Sequence, residues 1–250
     1  AGVSAHWPDA PVLTFDAWFS GDAIDDAPLA RVGDDPTTII YTSGTSGEPK
    51  GVVYKVDNID YMLPVITKAI GELMGPREGG DRVFHYLPFC FAGSRMVLWM
   101  CLHRANGIMV STDLTNLANE FKSAKPNYFL NVPALLERIK GGVEGAIRKK
   151  PKLIQGLYDR GVQAYAASQS GDAGVIDALF GALAKHIVFN KVRRQIGVNL
   201  ECLICGSAPL AADTQRWFEM LGIPVYQVYG LTETTAIVTM DTPGDVKSGH

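Results

Sequence analysis

Long apolar runs are missing from this chain: no stretch approaches the roughly 18 to 20 uninterrupted apolar residues that a membrane helix needs. The opening residues, Ala1-Gly2-Val3-Ser4-Ala5-His6-Trp7-Pro8, hold no basic stretch followed by an apolar block, so they do not read as a signal peptide. A cytoplasmic protein is expected. Cysteine is scarce: Cys90, Cys101, Cys202 and Cys205 are too few and too scattered for a disulfide scaffold. Cys202-x-x-Cys205 would be half of a zinc site, but it has no second pair and falls in a predicted core strand, so buried inert thiols are expected there. Positive charge is not in excess; a net charge of −3 gives no general attraction to nucleic acid. No internal repeat or low-complexity segment is evident.

What is present is an ordinary globular balance, 47% hydrophobic and 20% charged over 250 residues, enough to bury a sizeable core. Against that background one segment stands out, Tyr41-Thr42-Ser43-Gly44-Thr45-Ser46-Gly47-Glu48-Pro49-Lys50-Gly51. Glycine lets backbone N–H groups approach an anion, Ser and Thr add hydroxyl donors, and Lys50 adds a positive charge. The segment reads as a polyphosphate loop, with a solvated turn as the alternative. Thr37-Thr38-Ile39-Ile40-Tyr41 before it and Gly51-Val52-Val53-Tyr54 after it are β-branched and aromatic, so two strands should hold its ends. Its spacing is not that of a Walker loop: Gly44 and Gly47 are separated by two residues, and Lys50 is followed by Gly51. A dinucleotide Gly-x-Gly-x-x-Gly pattern is also absent here.

Two further segments follow in order. Cys205-Gly206-Ser207-Ala208-Pro209-Leu210 lies between a predicted strand, Leu200 to Cys205, and a helical stretch from Ala211 to Leu221. Tyr226-Gln227-Val228-Tyr229-Gly230-Leu231-Thr232-Glu233-Thr234-Thr235 begins in a short buried strand whose C-terminal end is where open parallel sheets bind ligands.

The three segments together resemble the signatures of the acyl-adenylating superfamily, which contains acyl-CoA synthetases, luciferases and peptide-synthetase adenylation domains. The resemblance implies ATP held by Thr42 to Gly47 and Lys50, by a Gly206-Ser207-Ala208-Pro209 turn flat against adenine, and by Gln227, Tyr229, Gly230 and Thr232. Tyr229 would stack on the purine, Thr232 would reach the α-phosphate, and Glu233 would give Mg²⁺ a hard oxygen. Thr232, Glu233 and Lys50 are the implied catalytic residues. Ile187-Val188-Phe189-Asn190-Lys191-Val192-Arg193 is similar to a stretch of long-chain fatty acyl-CoA synthetases, which implies a fatty acid substrate and CoA as co-substrate.

The resemblance has one departure. Pro88-Phe89-Cys90-Phe91 puts Phe91 where many relatives carry a histidine bordering the acyl pocket. Phe89, Phe91 and Pro133 are the expected substrate-pocket residues, Pro133 because Asn131-Val132-Pro133 should open a helix beside the site. His85 is expected to be a satisfied structural histidine.

Residues 1–36 are acidic and turn-rich and read as a connector, with a short helix around Phe15 to Phe19. From Thr37 on, helical and strand-like patterns alternate, with a helical insert over about 134–197, which argues for an α/β protein: a mostly parallel sheet with covering helices. Arg148-Lys149-Lys150-Pro151-Lys152, with Lys185, Lys191, Arg193 and Arg194, reads as a solvated helix face or as a peripheral contact to anionic lipid. The resemblance also implies parts that are not found here: a first subdomain, a ribose-binding aspartate motif and a small C-terminal domain with a catalytic lysine. The chain is therefore expected to be a central piece, inactive by itself. Adenylation of another acid for a carrier protein and a catalytically dead binding module are the alternatives.

Overall fold

A computed structural model of the chain describes residues 30–43, 47–77 and 79–246. The chain divides into units at residues 1–32 and 33–250. The helix expected around Phe15 to Phe19 lies outside the described residues. All the described helices and strands belong to the second unit.

That unit begins with a hairpin. β1 (Pro36–Thr42) and β2 (Lys50–Lys55) pair antiparallel, with Ile40 opposite Val52 and Thr42 opposite Lys50. Only Ile40 and Tyr54 are buried in it, so one residue of each strand anchors the ribbon. α1 (Val56–Met74) follows directly and buries Met62, Ile66, Ile70 and Met74, four residues apart on one stripe. It ends at Gly75, whose φ of 67° is in the left-handed region that glycine enters without strain.

The central sheet is mostly parallel. β3 (Arg82–His85) pairs with β4 (Gly107–Val110); β5 (Leu130–Asn131), β6 (Leu203–Cys205) and β7 (Val225–Tyr229) run parallel to one another, and β8 (Thr239–Met240) closes the edge antiparallel to β7. An isolated parallel bridge, Val83 to Tyr128, links the two ladders. The helices are α2 (Ala92–His103), α3 (Leu117–Ala124), α4 (Pro133–Arg148), α5 (Lys152–Ser170), α6 (Val175–Ala184), α7 (Asn190–Ile196) and α8 (Ala212–Met220), with a π-helical turn, Lys185–Phe189, joining α6 to α7.

Alternation along each strand splits the interior in two. Val83, Tyr128, Ile204 and Tyr226 face α1 and α2; Phe84, Phe129, Leu203 and Val225 join the other cluster, with Leu136 of α4 and Phe218 of α8. Both faces of the parallel strands are thus covered, as βαβ crossovers require. Truncating Phe218, fully buried, to alanine would cost about 3–5 kcal/mol. One edge is fixed by charge: buried Asp81 accepts from Arg104 at 3.0 Å and lies 3.5 Å from Arg77, which donates to Glu201 at 2.7 Å. Among the described residues no helix is long and apolar enough to cross a membrane.

Candidate functional site

The hairpin turn carries the polyphosphate segment. Thr42 and Lys50 are register partners at its base, and the Thr42 hydroxyl lies 3.5 Å from the Lys50 carbonyl oxygen. Gly47 has a φ of 84°, a conformation that costs a side-chain-bearing residue about 1 kcal/mol or more. Ser43, Gly47 and Lys50 are exposed. Gly44, Thr45 and Ser46 lie outside the described residues.

From this turn β2 leads back to the interior, where the Tyr54 hydroxyl donates to the Thr232 carbonyl oxygen at 2.6 Å. Burial above all, and the Glu233 carboxylate next, push the Tyr54 hydroxyl up to about 12, while Arg95 works the other way, so Tyr54 stays a donor. Arg95 of α2 donates through Nε to the Phe89 carbonyl at 2.8 Å and through Nη1 to the Thr38 hydroxyl. It ties β1 to the loop that precedes α2.

Glu233 sits in a 3-10 turn, Thr232–Thr234, closed by the Thr234 N–H donating to the Leu231 carbonyl at 3.1 Å. The loop doubles back tightly: a Cβ on Gly230 would collide with the Ala236 carbonyl oxygen, so only glycine fits. Thr235 and Ala236 pay for that turn with φ values of 59° and 84°. Tyr229 is 59% exposed and Glu233 is exposed, both available to a ligand.

The third segment lies beside it. Gly206 is buried, and a Cβ there would stand 2.6 Å from Cγ2 of Val228. Ser207 adopts a φ of 72°, and Ser207, Ala208 and Pro209 are exposed. Left-handed backbone at Ser207, Thr235 and Ala236 is strain of the kind that collects where loops are held for a ligand. Gln227, expected to contact nucleotide, is engaged within the protein: its Oε1 accepts from the Leu210 N–H at 3.1 Å and its Nε2 donates to Gln215 at 3.0 Å. It clamps the end of the Gly206 to Pro209 turn because a β7 side chain on that face meets Gln215 of α8.

A cavity of about 170 Å³ runs from Ser207, Gly230 and Thr232 between the sheet and helices α1 and α2, past Ile66, Phe91 and Met96. Of the expected pocket residues only Phe91, 55% exposed, lines it. Phe89 instead stacks on His85 with centroids 4.9 Å apart, and buried Pro133 starts α4 at its first position. His85 is structural but not satisfied as expected: it is fully buried, and neither ring nitrogen makes a hydrogen bond. Burial holds its pKa below the usual value, opposed by a weaker polar contact to the Leu87 backbone. The sequence reading missed Tyr54 and Arg95. The first had a signal, alternation in β2 that puts Tyr54 inward; the second was an arginine entering the apolar run Met96 to Cys101.

Cys101, Cys202 and Cys205 are buried, and burial pushes each thiol up to about 12. Among the described residues no group of three or more His, Cys, Asp or Glu side chains could hold a metal. Val188, Phe189 and Val192, in the stretch that suggested a long-chain substrate, are buried in the cluster under α5 and none lines the 170 Å³ cavity.

The AMP-binding enzyme family matches residues 5–250. The long-chain-fatty-acid–CoA ligase FadD15 of Mycobacterium bovis is 27% identical over 92% of this chain and 39% of its own length. Long chain acyl-CoA synthetase 3 of Arabidopsis thaliana is 29% identical over 85% of this chain and 32% of its own length. The chain thus spans well under half the length of these relatives. Among solved structures, o-succinylbenzoate coenzyme A synthetase (MenE) from Bacillus subtilis, in complex with ATP and magnesium ion, superposes with a TM-score of 0.55 at 16% identity, covering 89% of this chain and 36% of that one.

Proposed function

The chain belongs to the AMP-binding enzyme family, and from that membership we propose that it carries the ATP- and acyl-binding part of an enzyme that activates a long-chain fatty acid as acyl-AMP and passes the acyl group to CoA. The observation that carries the reading is the Tyr54 to Thr232 hydrogen bond, 2.6 Å long, which fixes the strand leaving the polyphosphate turn against the Thr232–Thr234 loop at the mouth of an apolar cavity. The names of FadD15 and of the Arabidopsis synthetase support a fatty acid.

A carboxylate is a weak nucleophile facing an anionic triphosphate, so the site must offset charge and align the attack. Lys50 and the Thr42 to Gly47 turn would hold the β- and γ-phosphates, Thr232 the α-phosphate, and Tyr229 and the Ser207 to Pro209 backbone the adenine. The carboxylate oxygen attacks the α-phosphorus and pyrophosphate leaves; the CoA thiol then attacks the acyl carbonyl and AMP leaves. Glu233 suits Mg²⁺, which binds through one or two carboxylates plus substrate phosphates and needs no protein cage. Bound there, the ion would neutralise phosphate charge. Thioester formation is proposed for a protein of the relatives' length and not for these 250 residues alone.

The test is pyrophosphate exchange and hydroxylamine trapping with a panel of fatty, aryl and amino acids, run on the chain in its complete reading frame. Exchange driven by long fatty acids, and lowered about 10²–10³-fold by Lys50→Ala or Glu233→Gln, is expected. Exchange driven only by an aryl or amino acid would overturn the substrate, and none with any acid the reaction.

A further inference from the structure

A second and larger cavity, about 370 Å³, lies on the other face of the sheet, among α3, α4, α7 and α8. Its floor is aromatic: Phe121 stands 5.3 Å from Phe84 and 4.8 Å from Phe129 between ring centroids, and Leu203 and Phe218 close it. Phe84, Phe129, Leu203 and Phe218 are each 3% exposed or less. Its mouth is different. Arg138 of α4 and Lys122 of α3 line it, and neither takes part in an ion pair among the described residues. Thr115, also lining the cavity, donates its N–H and hydroxyl to Asp113.

Protein interiors hold few voids larger than a water molecule, and ligand pockets are apolar clefts of roughly 300–1,000 Å³ with a few placed polar groups. The cavity has that size and that division between an apolar floor and a cationic rim. We propose that it binds a single-chain amphiphile with an anionic head, the tail over Phe84, Phe121 and Phe129 and the head at Arg138 and Lys122. The site is separate from the nucleotide loops: Ser207, Gly230 and Thr232 do not line it. It therefore stands or falls independently of the proposed reaction.

The test is a photoreactive diazirine analogue of dodecanoate, crosslinked to the chain and mapped by peptide mass spectrometry. Crosslinks should fall within residues 114–122 and 135–143 and be displaced by unlabelled dodecanoate. Ala118→Trp fills the mouth from an exposed position, and Arg138→Glu reverses the charge. Each should weaken displacement about tenfold at an unchanged unfolding temperature, whereas Arg138→Lys should restore it. Dodecanol should bind about tenfold more weakly than dodecanoate, having lost the charge-assisted contact. Dodecyl phosphate competing equally would support an anionic head in general, and its failure a carboxylate in particular. Crosslinks confined to residues 91–100 and 228–240, or binding unchanged in both Ala118→Trp and Arg138→Glu, would overturn the proposal.

Discussion

The Tyr54 hydroxyl donates a 2.6 Å hydrogen bond to the carbonyl oxygen of Thr232, 178 residues further along the chain. β2 and the Thr232–Thr234 turn share no strand pairing and are joined by that hydrogen bond, with Arg95 and Glu233 as the charged neighbours of the phenol.

Tyr54→Phe should therefore cost about 0.5–1.5 kcal/mol in urea unfolding, because a part-buried carbonyl loses its partner while the ring's packing stays. Activity should fall more than stability if the bond positions Thr232. Equal KM for ATP in the variant and the parent protein would show that the loops keep their arrangement without it.

Gly230→Ala should unfold the Thr232–Thr234 loop, since the added carbon meets the Ala236 carbonyl, which is backbone and cannot move aside. Gly206→Ala should be milder, about 1–3 kcal/mol, because the obstacle at 2.6 Å is the Val228 side chain. Thermal unfolding of the two variants side by side measures the difference. A neutral Gly230→Ala would mean that the loop follows another path.

His85 predicts an acid-sensitive stability. Its folded pKa lies below the usual value of 6.5, so below about pH 6.5 the unfolded chain takes up a proton that the folded one refuses. Stability is complete above the unfolded pKa and declines as pH falls toward the folded pKa. His85→Leu should flatten that part of the stability profile. An unchanged acid limb, measured by urea unfolding from pH 7.5 to 5, would assign the loss to other groups.

Thiol titration of the native protein should show one fast equivalent, Cys90, which is exposed. Cys101, Cys202 and Cys205 are buried with thiols raised to about 12 and should react only on unfolding. Cys90→Ser should abolish the fast phase.

Much of the fold is legible in advance for a local reason. Ile108 and Val110 in one segment, and Val225, Tyr226, Val228 and Tyr229 in the other, are β-branched or aromatic, turn residues follow each, and both segments are strands. Ile59 to Met74 has apolar residues at helical spacing and is a helix, begun three residues earlier at Val56. The segment from Leu200 reads as extended throughout, yet β6 starts only at Leu203, the first residue with a ladder partner in β7. The antiparallel hairpin under the polyphosphate turn is legible as two strands but not as a ribbon separate from the parallel sheet.

The reading of residues 41–51 as a polyphosphate loop rests on composition alone, because glycine, hydroxyl and lysine act through their own backbone and side chains wherever the loop is placed. The unbroken apolar run Leu203-Ile204-Cys205 likewise reads as a strand buried on both faces. Partnership is another matter, since a sequence pattern says that a side chain turns inward without saying what it meets there. Gln227 clamps Leu210, Phe89 covers His85, and the larger cavity lies across the sheet from Ser207 and Thr232. Those outcomes follow from strand order, which brings residues far apart in sequence within a hydrogen bond of each other, and only the folded chain contains it.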